Sequence, residues 1–140
     1  MSEKFDLTHV HHVNLLVRDI ESAKREYRGT FNIEFIDEPL PSRGVITSRF
    51  RVGESWIVLV QPVAEGEPMR QLRERGEGLF LLSLGVAQIE GNALAPIGHD
   101  DRTNGAVSEA RDGIAGWRVA DIQVGDEPNG QMQLTFRKND

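Results

Sequence analysis

Two apolar segments about seventy residues apart govern what this chain folds into: Val10–Val17 reads VHHVNLLV and Gly78–Val86 reads GLFLLSLGV. Each is apolar on both parities, the pattern of a strand covered on both faces. Each also opens one half of the 140-residue chain. After the first, Asp19 is suited to N-cap a helix from Ile20 to Arg28, in which Ile20, Ala23, Tyr27 and then Phe31 recur at helical spacing. Glu21 and Arg25 are placed as an i,i+4 charge pair on its outer face. Asn32–Ile36 predicts a second strand, and Glu38-Pro39-Leu40-Pro41 a break. Val45–Val52 and Ser55–Gln61 predict two strands joined at Gly53-Glu54, so the first half spells β-α-β-β-β.

The second half repeats this order imperfectly. Pro62–Pro68 reads as a linker, followed by a short helix with Pro68 in its first turn, Met69 and Leu72 on one face, and Gly76 as terminator. Residues 87–104 are irregular in pattern, with at most a turn of helix over Gln88–Leu94. Val107–Arg111, Gly116–Gln123 and Gln131–Arg137 predict strands, the last two joined by a turn over Asp126–Gly130. The boundaries are a first module over 1–62, linker and short helix over 63–77, and a second module over 78–140.

Composition narrows the function classes. Sixteen Lys and Arg against 22 Asp and Glu give a net charge of -6, which argues against nucleic acid or an anionic membrane as an electrostatically recruited partner. With no cysteine there is no disulfide framework, thiol nucleophile or thiolate ligand. The N-terminal MSEKFDLTHV has no apolar core of the signal-peptide kind. These features lead to the expectation of a soluble cytoplasmic domain. GxSxG, P-loop and GxGxxG motifs are all missing from the sequence.

Four stretches, His11–Phe35, Arg49–Pro62, Arg73–Val86 and Gly116–Leu134, together resemble the vicinal oxygen chelate superfamily (glyoxalase, bleomycin-resistance and extradiol dioxygenase proteins), with the closest likeness to its methylmalonyl-CoA epimerase-like branch. The resemblance implies an α+β fold in which two βαβββ modules roll a mixed sheet around a shared cavity, here with a degraded helix in the second module. It also implies a divalent metal held by histidines on the modules' first strands and Glu or Gln on their last. Carried over by position, only His12 matches a histidine ligand. Val58 takes the place of the first carboxylate or amide, and Leu81 that of the second histidine. Gln133 is preferred over Leu134 for the last ligand, because it leaves Met132, Leu134 and Phe136 on the helix-facing side. One imidazole and one neutral amide make a poor site for a hard divalent ion.

Strand parity then defines a candidate site. His12, Asn14 and Leu16 share one face of the first strand, Thr47, Arg49 and Arg51 one face of the third, and Trp56, Val58 and Val60 one face of the fourth. Leu81, Ser83 and Gly85 are their counterparts in the second module. The expectation is a protein with a largely dismantled metal site, without a cofactor, that binds a small, partly apolar, anionic molecule through Asn14, Arg49, Trp56 and Ser83. His12 is the candidate catalytic base, and His12 with Gln133 the candidate metal ligands if a site is retained. For both Arg49 and Arg51 the alternatives are a ligand anion, a solvated strand edge and pairing with an acidic side chain. An epimerase or lyase acting on a small carboxylate or acyl thioester, with or without a metal, is the alternative function, and a non-catalytic structural partner a third. His9 and His11 form an i,i+2 pair on the face opposite His12, and His99, Asp100 and Asp101 form a loop cluster. A thinly covered sheet face predicts a homodimer.

Overall fold

Strand β1 (Leu7–Leu16) runs through both halves of the molecule in the computed structural model of the chain, which describes residues 6–87, 111–122 and 132–136. The chain divides into a contiguous unit, residues 12–81, and a split unit, residues 1–11 with 82–140. Helix α1 (Ile20–Thr30), strands β2 (Ile36–Leu40), β3 (Val45–Val52) and β4 (Ser55–Pro62), and helix α2 (Glu67–Arg75) belong to the contiguous unit. Strand β5 (Gly78–Val86) starts there and ends in the split unit, which also holds β6 (Arg111–Asp112), β7 (Arg118–Ile122) and β8 (Met132–Phe136). Among the described residues the strand order is β2-β3-β4-β1-β5-β8-β7-β6.

In the contiguous unit β1 and β4 are parallel neighbours, while β4, β3 and β2 follow antiparallel. Helix α1 starts where its sequence predicts. The Asp19 carboxylate accepts from the Glu21 and Ser22 amides at 3.1 and 3.4 Å. The Ile20 amide donates to Gln61 Oε1 on β4 at 2.9 Å, so another amide of the helix start is satisfied by the sheet. Val17, Ile20, Ala23 and Leu59 form the core beneath the helix, flanked by Leu15, Tyr27, Phe35 and Ile46. This layer contains one buried charge. Lys24 Nζ bonds both carboxylate oxygens of Asp37 at 2.9 and 3.0 Å, and Ser48 Oγ donates to the same carboxylate at 2.6 Å. The Ser48 bond first, and then Lys24, hold the Asp37 carboxyl below its ordinary pKa.

Three local expectations change. The second strand lies at Ile36–Leu40 rather than Asn32–Ile36, and it passes through the expected break. Pro39 has no N–H, and a proline of this kind is tolerated because β2 is the outermost strand. Glu21 pairs with Lys24 at 3.5 Å, and Arg25 bonds Ser22 Oγ instead of Glu21, because the Lys24 ammonium is held inward by Asp37. In α2 it is Pro68 and Gln71 that are buried, while Met69 and Leu72 are half-buried. The α1 N-cap, the β3–β4 hairpin and the bounds of β5 stand as read from sequence, with Gly53 supplying the left-handed backbone (φ 60°) that the hairpin turn needs.

The split unit mirrors the strand order with no α-helix among its described residues, only a 3-10 turn over Ile114–Gly116. β5 and β8 are parallel, with β7 and β6 antiparallel beyond them. Its core is Val86, Ala120, Leu134 and Phe136, with Leu84 and Ile122 packed against it. The first half of β1 lies beside β5, where the Ala87 amide donates to the Asp6 carbonyl at 3.0 Å. Gly85 leaves room for the His9 and Thr8 side chains there: a β-carbon would stand 2.8 Å from His9 Cε1 and Thr8 Oγ1, and those side chains would have to shift. The expected helical turn over Gln88–Leu94, the turn over Asp126–Gly130, most of the Val107–Arg111 strand and the His99-Asp100-Asp101 cluster lie outside the described residues.

Candidate functional site

Register, rather than sequence distance, brings the polar residues of the contiguous unit together. His12 pairs with Trp56 and Asn14 with Val58 across β1 and β4. Arg49 pairs with Val58 and Arg51 with Trp56 across β3 and β4, and Glu38 pairs with Thr47 across β2 and β3. Directly opposed residues point to the same side of a sheet. His12, Asn14, Glu38, Thr47, Arg49, Arg51 and Trp56 therefore share the face opposite helix α1, over an apolar floor of Leu16, Val58 and Val60.

The electrostatics of this face differ from a bare cationic pocket. Arg49 is buried, 8% exposed, and its Nη1 donates to Glu38 Oε1 at 2.7 Å. Of the readings weighed for Arg49, pairing with an acidic side chain is observed. Thr47 Oγ1 donates to the Glu38 carbonyl at 2.6 Å and braces the same strand pair. Arg51 is exposed and donates to the Gly53 carbonyl at 2.9 Å. Both guanidinium groups lie over the Trp56 ring, at 5.4 Å for Arg49 and 5.3 Å for Arg51, a cation–π arrangement that fixes the indole.

Two atoms stand out. The Asn14 Oδ1 is buried in the contiguous unit, and the Gln133 Oε1 is buried in the split unit. Neither has a hydrogen-bond partner among the described residues. Leaving such an acceptor dry and unpaired costs about 1–3 kcal/mol, so each marks a place where a further donor has something to gain. Sequence parity placed both residues, but their lack of partners was not readable from it.

In the split unit Gln133 pairs with Ser83, and Thr135 with Gly85. Ser83 and Thr135 are both buried and their hydroxyls lie 2.5 Å apart. Leu134, the other residue considered for the last ligand position, belongs to the apolar core on the opposite side. His12 is 3% exposed. The positions where the resemblance implies further metal ligands are the buried Val58 and Leu81. Among the described residues no group of three or more His, Asp or Glu side chains could hold a metal ion.

His9 and His11 belong to the split unit. The His9 ring lies against Gly85, on the face that carries Ser83 and Gln133, and its centroid is 5.6 Å from that of His11. Burial, and then the neighbouring His9, lower the His11 pKa to about 4, so this imidazole is neutral at neutral pH.

No protein-family model matches the sequence, and no curated protein sequence matches it. Solved structures do. A hypothetical protein from Bacillus halodurans C-125 is 25% identical with a TM-score of 0.73, over 94% of this chain and 95% of the other. The methylmalonyl-CoA epimerase from Mycobacterium tuberculosis gives a TM-score of 0.78 at 21% identity, over 99% of this chain and 94% of the other. A Streptomyces coelicolor methylmalonyl-CoA epimerase variant in complex with 2-nitronate-propionyl-CoA gives 0.76 at 22% identity, over 94% of this chain and 98% of the other. The chain thus shares an α+β, glyoxalase-like fold with these solved structures, as its resemblance implied. Among the described residues no helix is long and apolar enough to cross a membrane.

Proposed function

We propose that this chain is a glyoxalase-like protein whose inherited metal site is dismantled, and that it binds a small, partly apolar molecule against the sheet face of the contiguous unit. The observation that carries the reading is the buried, unpartnered Asn14 Oδ1 on a face floored by Leu16, Val58 and Val60 and flanked by His12 and Trp56. A pocket with an apolar floor and a few directional polar groups is the usual construction of a small-molecule site. Val58 and Leu81, at positions where metal ligands are implied, support the metal-free reading; His12 and Gln133 alone are a donor set unsuited to a hard divalent ion.

The Arg49–Glu38 pair shifts the ligand chemistry from the sequence expectation. An arginine already neutralised by a carboxylate at 2.7 Å gives an anion less to bind, whereas Asn14 asks for a hydrogen-bond donor. The favoured ligand carries an N–H or O–H group on an apolar frame, and any anionic portion falls to the exposed Arg51. Thermal-shift screening of wild type and Asn14→Leu against amides, alcohols, carboxylates and acyl thioesters tests this. Donor-bearing compounds should stabilise wild type and lose their effect in the variant. Stabilisation by carboxylates alone, unchanged by Asn14→Leu, would overturn it. Metal analysis of untagged protein tests the other half: a stoichiometric metal that disappears in His12→Ala ends the metal-free reading.

A second reading, an epimerase or lyase with His12 as base, draws support from the fold shared with methylmalonyl-CoA epimerases and from the placement of His12 on this face. Its test is deuterium exchange at the α-carbon of small acyl thioesters, compared with His12→Ala. A homodimer and a cytoplasmic location are part of the same proposal. Multi-angle light scattering of the purified protein decides the first.

A further inference from the structure

The split unit carries an imidazole pair that the site above does not use. His9 and His11 stand two residues apart on β1, a spacing that puts both side chains on one face of a strand. Their ring centroids are 5.6 Å apart with planes tilted by 47°. Two imidazoles bound to one ion through nitrogens about 2.0–2.1 Å from it have centroids roughly 5.2 Å apart at a tetrahedral angle and about 5.5 Å apart at a trigonal one. The observed 5.6 Å lies close to the trigonal value.

Both rings are held in place by their surroundings. Thr8 Oγ1 lies 2.8 Å from His9 Nδ1, and the Nδ1–Cε1 edge of the ring rests where a side chain on Gly85 would be. The Thr8 contact engages Nδ1, the kind of second hydrogen bond that orients a histidine ligand. His11 is locked from the other side by Trp117, edge to face at 4.6 Å. Both histidines are half-buried, so water and ions reach them.

We propose that His9 and His11 chelate a borderline divalent transition metal, Cu(II) more tightly than Ni(II) or Zn(II), with water in the remaining positions. Imidazole nitrogens suit these ions and not Mg or Ca, and the order among them is the usual one for nitrogen sites. The proposal does not depend on what the His12 face binds.

Titration of Cu(II) into the full-length, untagged protein, followed by calorimetry and electron paramagnetic resonance, tests it on wild type, His9→Gln, His11→Gln, His12→Gln and Thr8→Val. One copper per chain with a two-nitrogen signature is expected. Each of the His9 and His11 changes should weaken it at least tenfold, and Thr8→Val about tenfold, as loss of an outer-shell partner does. His12→Gln should leave it unchanged. Circular dichroism and melting curves of each variant establish that the fold is intact. No stoichiometric binding, binding that survives both His9→Gln and His11→Gln, or binding lost only with His12→Gln would each overturn the proposal.

Discussion

The two units pair their strands in the same way and fill the shared positions differently. In the contiguous unit the parallel neighbours β1 and β4 set Asn14 beside Val58; in the split unit the parallel neighbours β5 and β8 set Ser83 beside Gln133. The amide has changed strands between the copies, yet in both its carbonyl oxygen is buried without a partner among the described residues. On the opposite side the units diverge more. The contiguous unit keeps a buried ammonium beneath α1, held by Asp37, whereas the split unit's core cluster is purely apolar. A repeated backbone plan therefore constrains where a polar group can sit far more tightly than which group sits there.

The largest effect should come from the cores themselves. Leu59 is 0% exposed in the contiguous unit and Leu134 is 2% exposed in the split unit. Replacing either with alanine should destabilise by about 2–5 kcal/mol in urea denaturation, the range for buried leucines whose surroundings relax only in part. The comparison sharpens if Leu59→Ala is the costlier, since Leu59 is clasped by α1 as well as by its sheet. Equal losses would show that the helix adds little rigidity.

The buried charge comes next. Asp37→Ala leaves Lys24 and Ser48 without their acceptor and should cost about 1–3 kcal/mol. Lys24→Met removes the ammonium instead, and a fitting apolar replacement of a buried charge is often neutral or better. If the two variants melt together, Lys24 is solvated in solution and the contrast with the apolar split core weakens.

Much of the frame was legible in the sequence, and the reason is local. Asp19 followed by a 3.6-residue apolar period fixes α1, and Gly53 between alternating runs fixes a hairpin, because both signals act over a few residues. Strand β2 was misplaced because its determinant is its edge position, which IDEPL does not encode. Parity predicted which of His12, Asn14, Arg49 and Trp56 share a face, since period two is a property of the strand. It could not predict that Glu38 takes Arg49, because the β2–β3 register depends on the misplaced strand. Nor could it show that His9 and His11 meet over Gly85 and against Trp117, since those contacts come from residues about 76 and 106 positions downstream of them in the chain.

Acid should act on the split unit through His11. Its pKa is about 4 when folded and near the ordinary 6.5 when unfolded, so between those values the unfolded chain binds more protons. Stability is complete above pH 6.5, falls as pH drops toward 4, and changes no further on this account below that. The loss should be about 1–2 kcal/mol, reduced from the full linkage value because the ring is partly exposed. Urea midpoints from pH 7.5 to 4 check it, and His11→Gln should flatten this part of the slope. An unchanged slope would mean that His11 reaches solvent more freely than its contact with Trp117 implies.

The smallest effect bears most directly on function. An unpartnered buried carbonyl is a standing penalty in the free protein, so replacing it with an apolar group of similar size should relieve that penalty. Asn14→Leu and Gln133→Leu are therefore expected to raise stability by about 0.5–1 kcal/mol, less than the full cost of an unsatisfied group because leucine fits either space imperfectly. Such gains are typical where a protein gives up stability for a site. If only Asn14→Leu stabilises, the contiguous unit alone keeps a polar slot open for a ligand, and Gln133 is satisfied by the Ser83 and Thr135 hydroxyls as they move. If both stabilise, each unit retains its own unmet acceptor, and Gln133 becomes a recognition group in its own right. Destabilisation by both would mean that water already serves these oxygens, and the donor-bearing ligand proposed for Asn14 would have to displace it.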